Sequence, residues 1–185
     1  MATQILFVQG GGAGTHDAWD NKLVDSLQGA LEPDYEIRYP RMPREDDPNY
    51  IAWAAALSTE IEALADGALL IGHSIGATIL INLLASKPTP RKLGGLFFVA
   101  PPFIGDGGWP SDEIAPMADI GQRLTIAAPI YVYHGSDDDT VPREHIELYA
   151  KALPQAIVRH LAGRDHQLND DLTEVARDIL TLPAR

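Results

Sequence analysis

Along the chain, short runs of apolar residues alternate with longer segments whose apolar residues recur every three or four positions. The short runs at residues 5–8, 35–39, 68–71, 96–99, 130–133 and 157–161 predict six strands. Glycines from Gly10 to Gly14 stop the first, and Pro40 stops the second. Leu23, Leu27 and Leu31 fall on one helical face. Asp47 before Pro48 predicts a helix start, with Ile51, Ala55, Ile61 and Leu64 as the inner face. Residues 75–85 are apolar on nearly every side, the pattern of a helix buried in the middle of a domain. A helix over 144–153 follows. A last one carries Leu172, Val175, Ala176, Ile179 and Leu180 as its inner stripe and is expected to be capped by Asn169.

Strands that are apolar throughout, separated by helices, predict a parallel sheet covered on both faces. No repeat, low-complexity tract or linker interrupts the alternation, and 185 residues fit one domain over 1–185. The irregular stretch at 101–120 is rich in Pro, Gly and Asp. It is long for a connection in a compact domain, and such loops are usually functional.

Charge narrows the classes of partner. Acidic residues outnumber basic ones 26 to 14, a formal charge of -12, which repels phosphate backbones and anionic membranes. With no run of Lys or Arg, nucleic-acid binding is not expected. The absence of cysteine excludes disulfides, thiolate metal sites and a cysteine nucleophile. The start shows no basic leader and too short an apolar run for a signal peptide. No apolar stretch approaches the ~20 residues that span a bilayer. A cytoplasmic protein without membrane insertion is the expectation.

The candidate chemistry begins at Gly72-His73-Ser74-Ile75-Gly76, between a predicted buried strand and a predicted buried helix. A serine on so sharp a turn projects its oxygen above the sheet, and side chains two residues to either side would strike neighbouring backbone. The Ile75 amide then faces the oxygen of a bound carbonyl, at the positive end of the following helix. Two further stretches follow at the carboxyl ends of strands, where parallel sheets place their ligands. They are His134-Gly135-Ser136-Asp137-Asp138-Asp139-Thr140-Val141-Pro142 and Gly163-Arg164-Asp165-His166.

Of the six histidines, His166 alone lies in the loop after the last strand. His73 is inside the sharp turn, His145 on a helix, and His134 and His160 on strands. His16, in the first loop, is placed to line a site mouth. The three adjacent aspartates leave open which one orients His166. In the run Gly10-Gly11-Gly12-Ala13-Gly14, glycine lets backbone approach a substrate, with the Gly11 amide as a second oxyanion donor. A dinucleotide motif fails there, because its third glycine falls on Thr15 or Asp17. A phosphate loop fails for want of a Gly-Lys pair. Phe103 and Trp109 are the large apolar side chains of the 101–120 loop and candidates for substrate contact.

These motifs resemble the compact, lidless α/β-hydrolases, with the size and layout of YdeN-like serine hydrolases, over nearly all of the chain. The resemblance implies a three-layer fold around a mostly parallel six-stranded sheet in the order 2-1-3-4-5-6. In relatives the acid stands three residues before Val-Pro, which here selects Asp138. Gln9 occupies the place where the family's first loop often has His. The implied function is hydrolysis of a small carboxylic ester or related acyl compound. Ser74 is then the nucleophile, His166 the base, Asp138 its orienting acid, and the Gly11 and Ile75 amides the oxyanion hole. Neither metal nor organic cofactor is implied. An amidase, thioesterase or acyltransferase with the same triad, and a binding module on the same fold, stay open as alternatives.

Overall fold

The computed structural model describes residues 2–31 and 33–183. Its strands are β1 (Thr3–Val8), β2 (Tyr35–Arg38), β3 (Leu69–His73), β4 (Gly95–Val99), β5 (Ile130–Gly135) and β6 (Ile157–Leu161). They form one sheet in the order β2-β1-β3-β4-β5-β6, as expected, and every neighbouring pair is parallel. β1 lies between β2 and β3, so the chain order reverses beside it. In open α/β sheets such a reversal opens a crevice beyond the carboxyl ends of the strands.

The central strands are apolar at successive positions because both of their faces are covered. Side chains alternate between faces with a period of two. Leu6, Val8, Leu70, Leu96, Phe98, Ile130 and Val132 enter one core layer. Ile5, Phe7, Leu69, Ile71, Phe97, Val99, Tyr131 and Tyr133 enter the other. The first layer is closed by α2 (Tyr50–Glu62), α3 (Ser74–Ser86), α4 (Ile120–Arg123) and α5 (Glu144–Ala152). The second is closed by α1 (Asp20–Ala30) and α6 (Thr173–Leu180). Helix α3 is buried at every residue from Gly76 to Ala85, which explains its lack of a polar face.

Three expectations are corrected. Helix α2 starts later than the Asp47-Pro48 pair, because the Asn49 side chain caps it by accepting from the Ala52 amide. Its inner face is Trp53, Leu57 and Ile61, continued by Leu64, whereas Ile51 is 76% exposed and Ala55 is also exposed. The Trp53 indole sets this face: it is fully buried and its Nε1 donates to the Pro43 carbonyl at 2.7 Å.

On α6, Leu172, Val175, Ala176 and Ile179 are buried, but Leu180 is half exposed. Asn169 does not cap this helix. It lies in the turn Leu168–Asp170, whose three residues have φ of 51°, 59° and 57°. The Thr173 amide instead donates to Asp171 Oδ1. Finally, β6 is an edge strand with no fully buried residue. Its exposed positions carry the polar Arg159 and His160, and also Ile157.

Candidate active site

Ser74 stands where β3 passes into α3, and its φ of 51° is the left-handed strain expected of a nucleophile turn. Glycine is obligatory on both sides. A Cβ on Gly72 would lie 2.6 Å from Ala77 Cα, and one on Gly76 would collide with the Gln9 carbonyl oxygen.

His166 lies between Ser74 and the aspartate run. Its Nε2 is 3.0 Å from Ser74 Oγ, and its Nδ1 is 2.8 Å from Asp138 Oδ2. Nδ1–H therefore donates to the carboxylate, leaving Nε2 to accept the serine proton. The Asp138 side chain is fully covered. Burial alone would favour its protonated form. The His166 contact and the Val141 and Thr140 amides on Oδ1 outweigh that, so its carboxyl is held below the usual range. Asp137 and Asp139 are exposed, and among the described residues their carboxylates accept from just the neighbouring Ser136 and Thr140 hydroxyls. Buried His134 donates Nδ1–H to the Gly135 carbonyl, with Nε2 3.4 Å from Asp138 Oδ2. Burial lowers its pKa and keeps it neutral beside the carboxylate.

The glycine loop after β1 shares out its amides. Gly10 N donates to Asp20 Oδ2 at 2.7 Å and Gly12 N to the Glu45 carbonyl at 2.6 Å. Among the described residues the Gly11 amide has no such acceptor. Gly11 itself is wedged against Pro48 and the Ile75 side chain. The Ile75 amide lies in the first turn of α3, where a helix offers no internal acceptor.

Gln9 is fully buried, and its amide explains how the loop is held without the family's histidine. Its Nε2 donates to Glu45 Oε2 at 2.6 Å and its Oε1 accepts from Met42 N at 3.0 Å. Glu45 also accepts from the amides of Gly14 and His16. Glu45 and Asp20 are organising residues that sequence reasoning missed. Asp20's partners lie 10 to 147 positions away, and those of Glu45 in the loop after β1 lie 29 to 36 away, so only the Arg41–Glu45 pair is local.

A family model described as serine hydrolase matches residues 5–171. The chain belongs to that family. No curated protein matches it. Among solved structures, this serine hydrolase is similar to the ydeN gene product of B. subtilis, with a TM-score of 0.79 and 22% identity over 97% of each chain. It is also similar to Est1E from Butyrivibrio proteoclasticus, with a TM-score of 0.70 and 15% identity over 97% of this chain and 87% of that one. A thioesterase domain from the curacin biosynthetic pathway follows, at 0.67 and 16%, over 97% and 92%. At such identities the likeness speaks for the α/β-hydrolase fold. Among the described residues of this serine hydrolase, no helix is long and apolar enough to cross a membrane.

The remaining candidates, Phe103, Trp109 and His16, each make contacts within the protein. Phe103 is half-buried, edge-on to Tyr149 at 5.1 Å, and its amide donates to His145 Nδ1. Trp109 is 37% exposed, with one edge against the His145 ring at 5.4 Å. The loop is anchored at Pro102, whose carbonyl accepts from Thr78 and Tyr149, and at Glu113, which binds Asn49 and the Tyr50 amide at the start of α2. His16 does lie in the first loop, but both ring nitrogens are engaged, by Asp17 and the Tyr39 carbonyl, and the ring stacks on Tyr39 at 4.2 Å.

Proposed function

We propose that this serine hydrolase cleaves small carboxylic esters through an acyl-enzyme on Ser74. The observation that carries the reading is the bridge made by His166, at 3.0 Å to Ser74 Oγ and 2.8 Å to Asp138 Oδ2. Nucleophile, base and orienting acid are then in hydrogen-bond contact before substrate arrives.

In this mechanism Ser74 Oγ attacks the acyl carbon while His166 Nε2 takes its proton. Charge develops on the carbonyl oxygen, which the Gly11 and Ile75 amides receive, aided by the amino end of α3. His166 next gives the proton to the alkoxide leaving group and the ester bond breaks. Water enters, loses a proton to His166 and attacks the acyl carbon. Collapse returns the proton to Ser74 and frees the acid. Asp138, held ionised, stabilises the imidazolium in both halves. The exposed part of Trp109 is the candidate acyl contact, and Phe103 serves to fasten the loop.

Ser74→Ala is the first test. It removes one half-buried hydroxyl that is no part of the core, so the variant is expected to fold, to lose turnover of a nitrophenyl acetate and to lose fluorophosphonate labelling. An unlabelled wild-type protein with no ester turnover would favour a binding module on the same fold.

A further inference from the structure

The turn carries a second histidine beside the nucleophile. His73 is 1% exposed and faces acceptors on both sides. Its Nδ1 is 2.9 Å from Asp20 Oδ2 and its Nε2 is 3.1 Å from the His166 carbonyl oxygen. A carbonyl only accepts, so Nε2 must carry a proton. An ionised carboxylate also only accepts, so Nδ1 must carry one too, and a neutral imidazole has only one. Asp20, itself fully buried, has the surroundings of an ionised group. Besides His73 it accepts from the Gly10 amide at 2.7 Å and from Gln167 Nε2 at 3.2 Å.

We propose that His73 is held as an imidazolium and that, with Asp20, it forms the positioning unit of the site. It straps the backbone of His166 through the carbonyl, and through Asp20 it straps Gly10. The base and the oxyanion loop are thereby set against Ser74 from one buried point.

Three segments that are remote in sequence converge there: the loop after β1, the turn after β3 and the His166 loop. Asp20 takes the Gly10 amide, and the next amide, Gly11, has no acceptor among the described residues. Neither member of the pair touches substrate, so both are positioning residues. Their role rests on the catalytic reading of Ser74 and His166, whereas the charge state of His73 does not. The charged and titratable groups around the ring are Asp20 from α1, His166 from its loop and Asp138 behind it. Burial opposes both charges. The mutual contact outweighs it, raising the His73 pKa and lowering that of Asp20.

Two measurements test the proposal. In a ¹⁵N imidazole spectrum of the whole protein at pH ~7.5, above the ordinary histidine value of ~6.5, both His73 ring nitrogens should be protonated. A single protonated nitrogen, with the other proton on Asp20, would overturn it.

Asp20→Asn keeps the shape but cannot keep the straps. With its oxygen toward His73, a neutral ring spends its one proton there and releases the His166 carbonyl. With its nitrogen toward His73, the Gly10 amide loses its acceptor. The expected result is a kcat roughly 10- to 100-fold lower, the scale for groups that orient a site's primary residues, with KM nearly unchanged. The amide signals of Gly10 and the carbonyl-side signals of His166 should also shift without substrate. Wild-type kcat, or unmoved signals, would overturn the positioning role. A wild-type protein that turned over no ester would instead contradict the function proposed above, while the two spectra would still decide the charge and the straps.

Discussion

Asp138 lies in a run of three aspartates, and of the three its covered carboxylate is the one that meets His166. Composition cannot separate the three. The spacing to Val141-Pro142 can, for a physical reason: the Val141 and Thr140 amides fold back onto Asp138 Oδ1 and leave Oδ2 for the histidine. Asp138→Asn is expected to lower kcat by about 10⁴-fold, the scale seen when a triad acid is neutralised. Asp137→Asn and Asp139→Asn should stay close to wild type in the same ester assay. A large loss from either neighbour would contradict this assignment.

Ser74 and His166 were legible in local motifs and Asp138 through the family resemblance, and the fold brings the three into hydrogen-bond contact. Asp20 and Glu45 were legible in neither way. Asp20 reads as an ordinary acidic residue at a helix start, and its meaning comes from Gly10, His73 and Gln167, which only the fold brings to it.

At the scale of elements, the segment after His166 departs most from a local reading. Three successive non-glycine residues in left-handed geometry cost roughly 1–2 kcal/mol each. Buried Leu168 offsets this, as do the reciprocal Asp165–Asn169 contacts and the Arg164–Asp171 ion pair at 2.7 Å.

Hydrogen bonds from Thr173, then the Arg164 guanidinium, hold the Asp171 carboxyl at about 2. The unfolded value is ~3.9. Because the folded value is the lower one, ionised Asp171 contributes stability above pH ~4 and loses it as pH falls through about 2. Asp171→Asn should therefore melt below wild type at neutral pH, and the gap should narrow between pH ~4 and ~2. A constant gap down the pH series would contradict this.

The 101–120 loop carries a second element-scale prediction. Phe103→Ala should lower the melting temperature and reduce kcat/KM alike for all acyl lengths. Trp109→Ala should cost longer acyl chains more than acetate, by ~0.8 kcal/mol per buried methylene. A flat chain-length profile for Trp109→Ala would make it a second fastening of the loop.

Across the molecule, the central strands were legible because strands in the middle of a parallel sheet are buried on both faces and so read as unbroken apolar runs. The strand order came from the family resemblance. The inner face of α2 was legible in part. Ile61 and Leu64 are buried as expected, but Ile51 and Ala55 give way to Trp53 and Leu57, because the large Trp53 ring is buried and bonded to the Pro43 carbonyl. Limits of this kind leave the site intact, because its parts hang on the carboxyl ends of β1, β3, β5 and β6 rather than on helix faces.

The central claim is that one sheet brings four loops together to build a covalent site at Ser74, and rapid mixing with a nitrophenyl ester tests it most directly. The account predicts a burst of nitrophenolate matching the enzyme concentration, with acid quench trapping the acyl group on the peptide that contains Ser74. Ester turnover with no burst and no acylated Ser74 peptide, or with the acyl group on another residue, would contradict it.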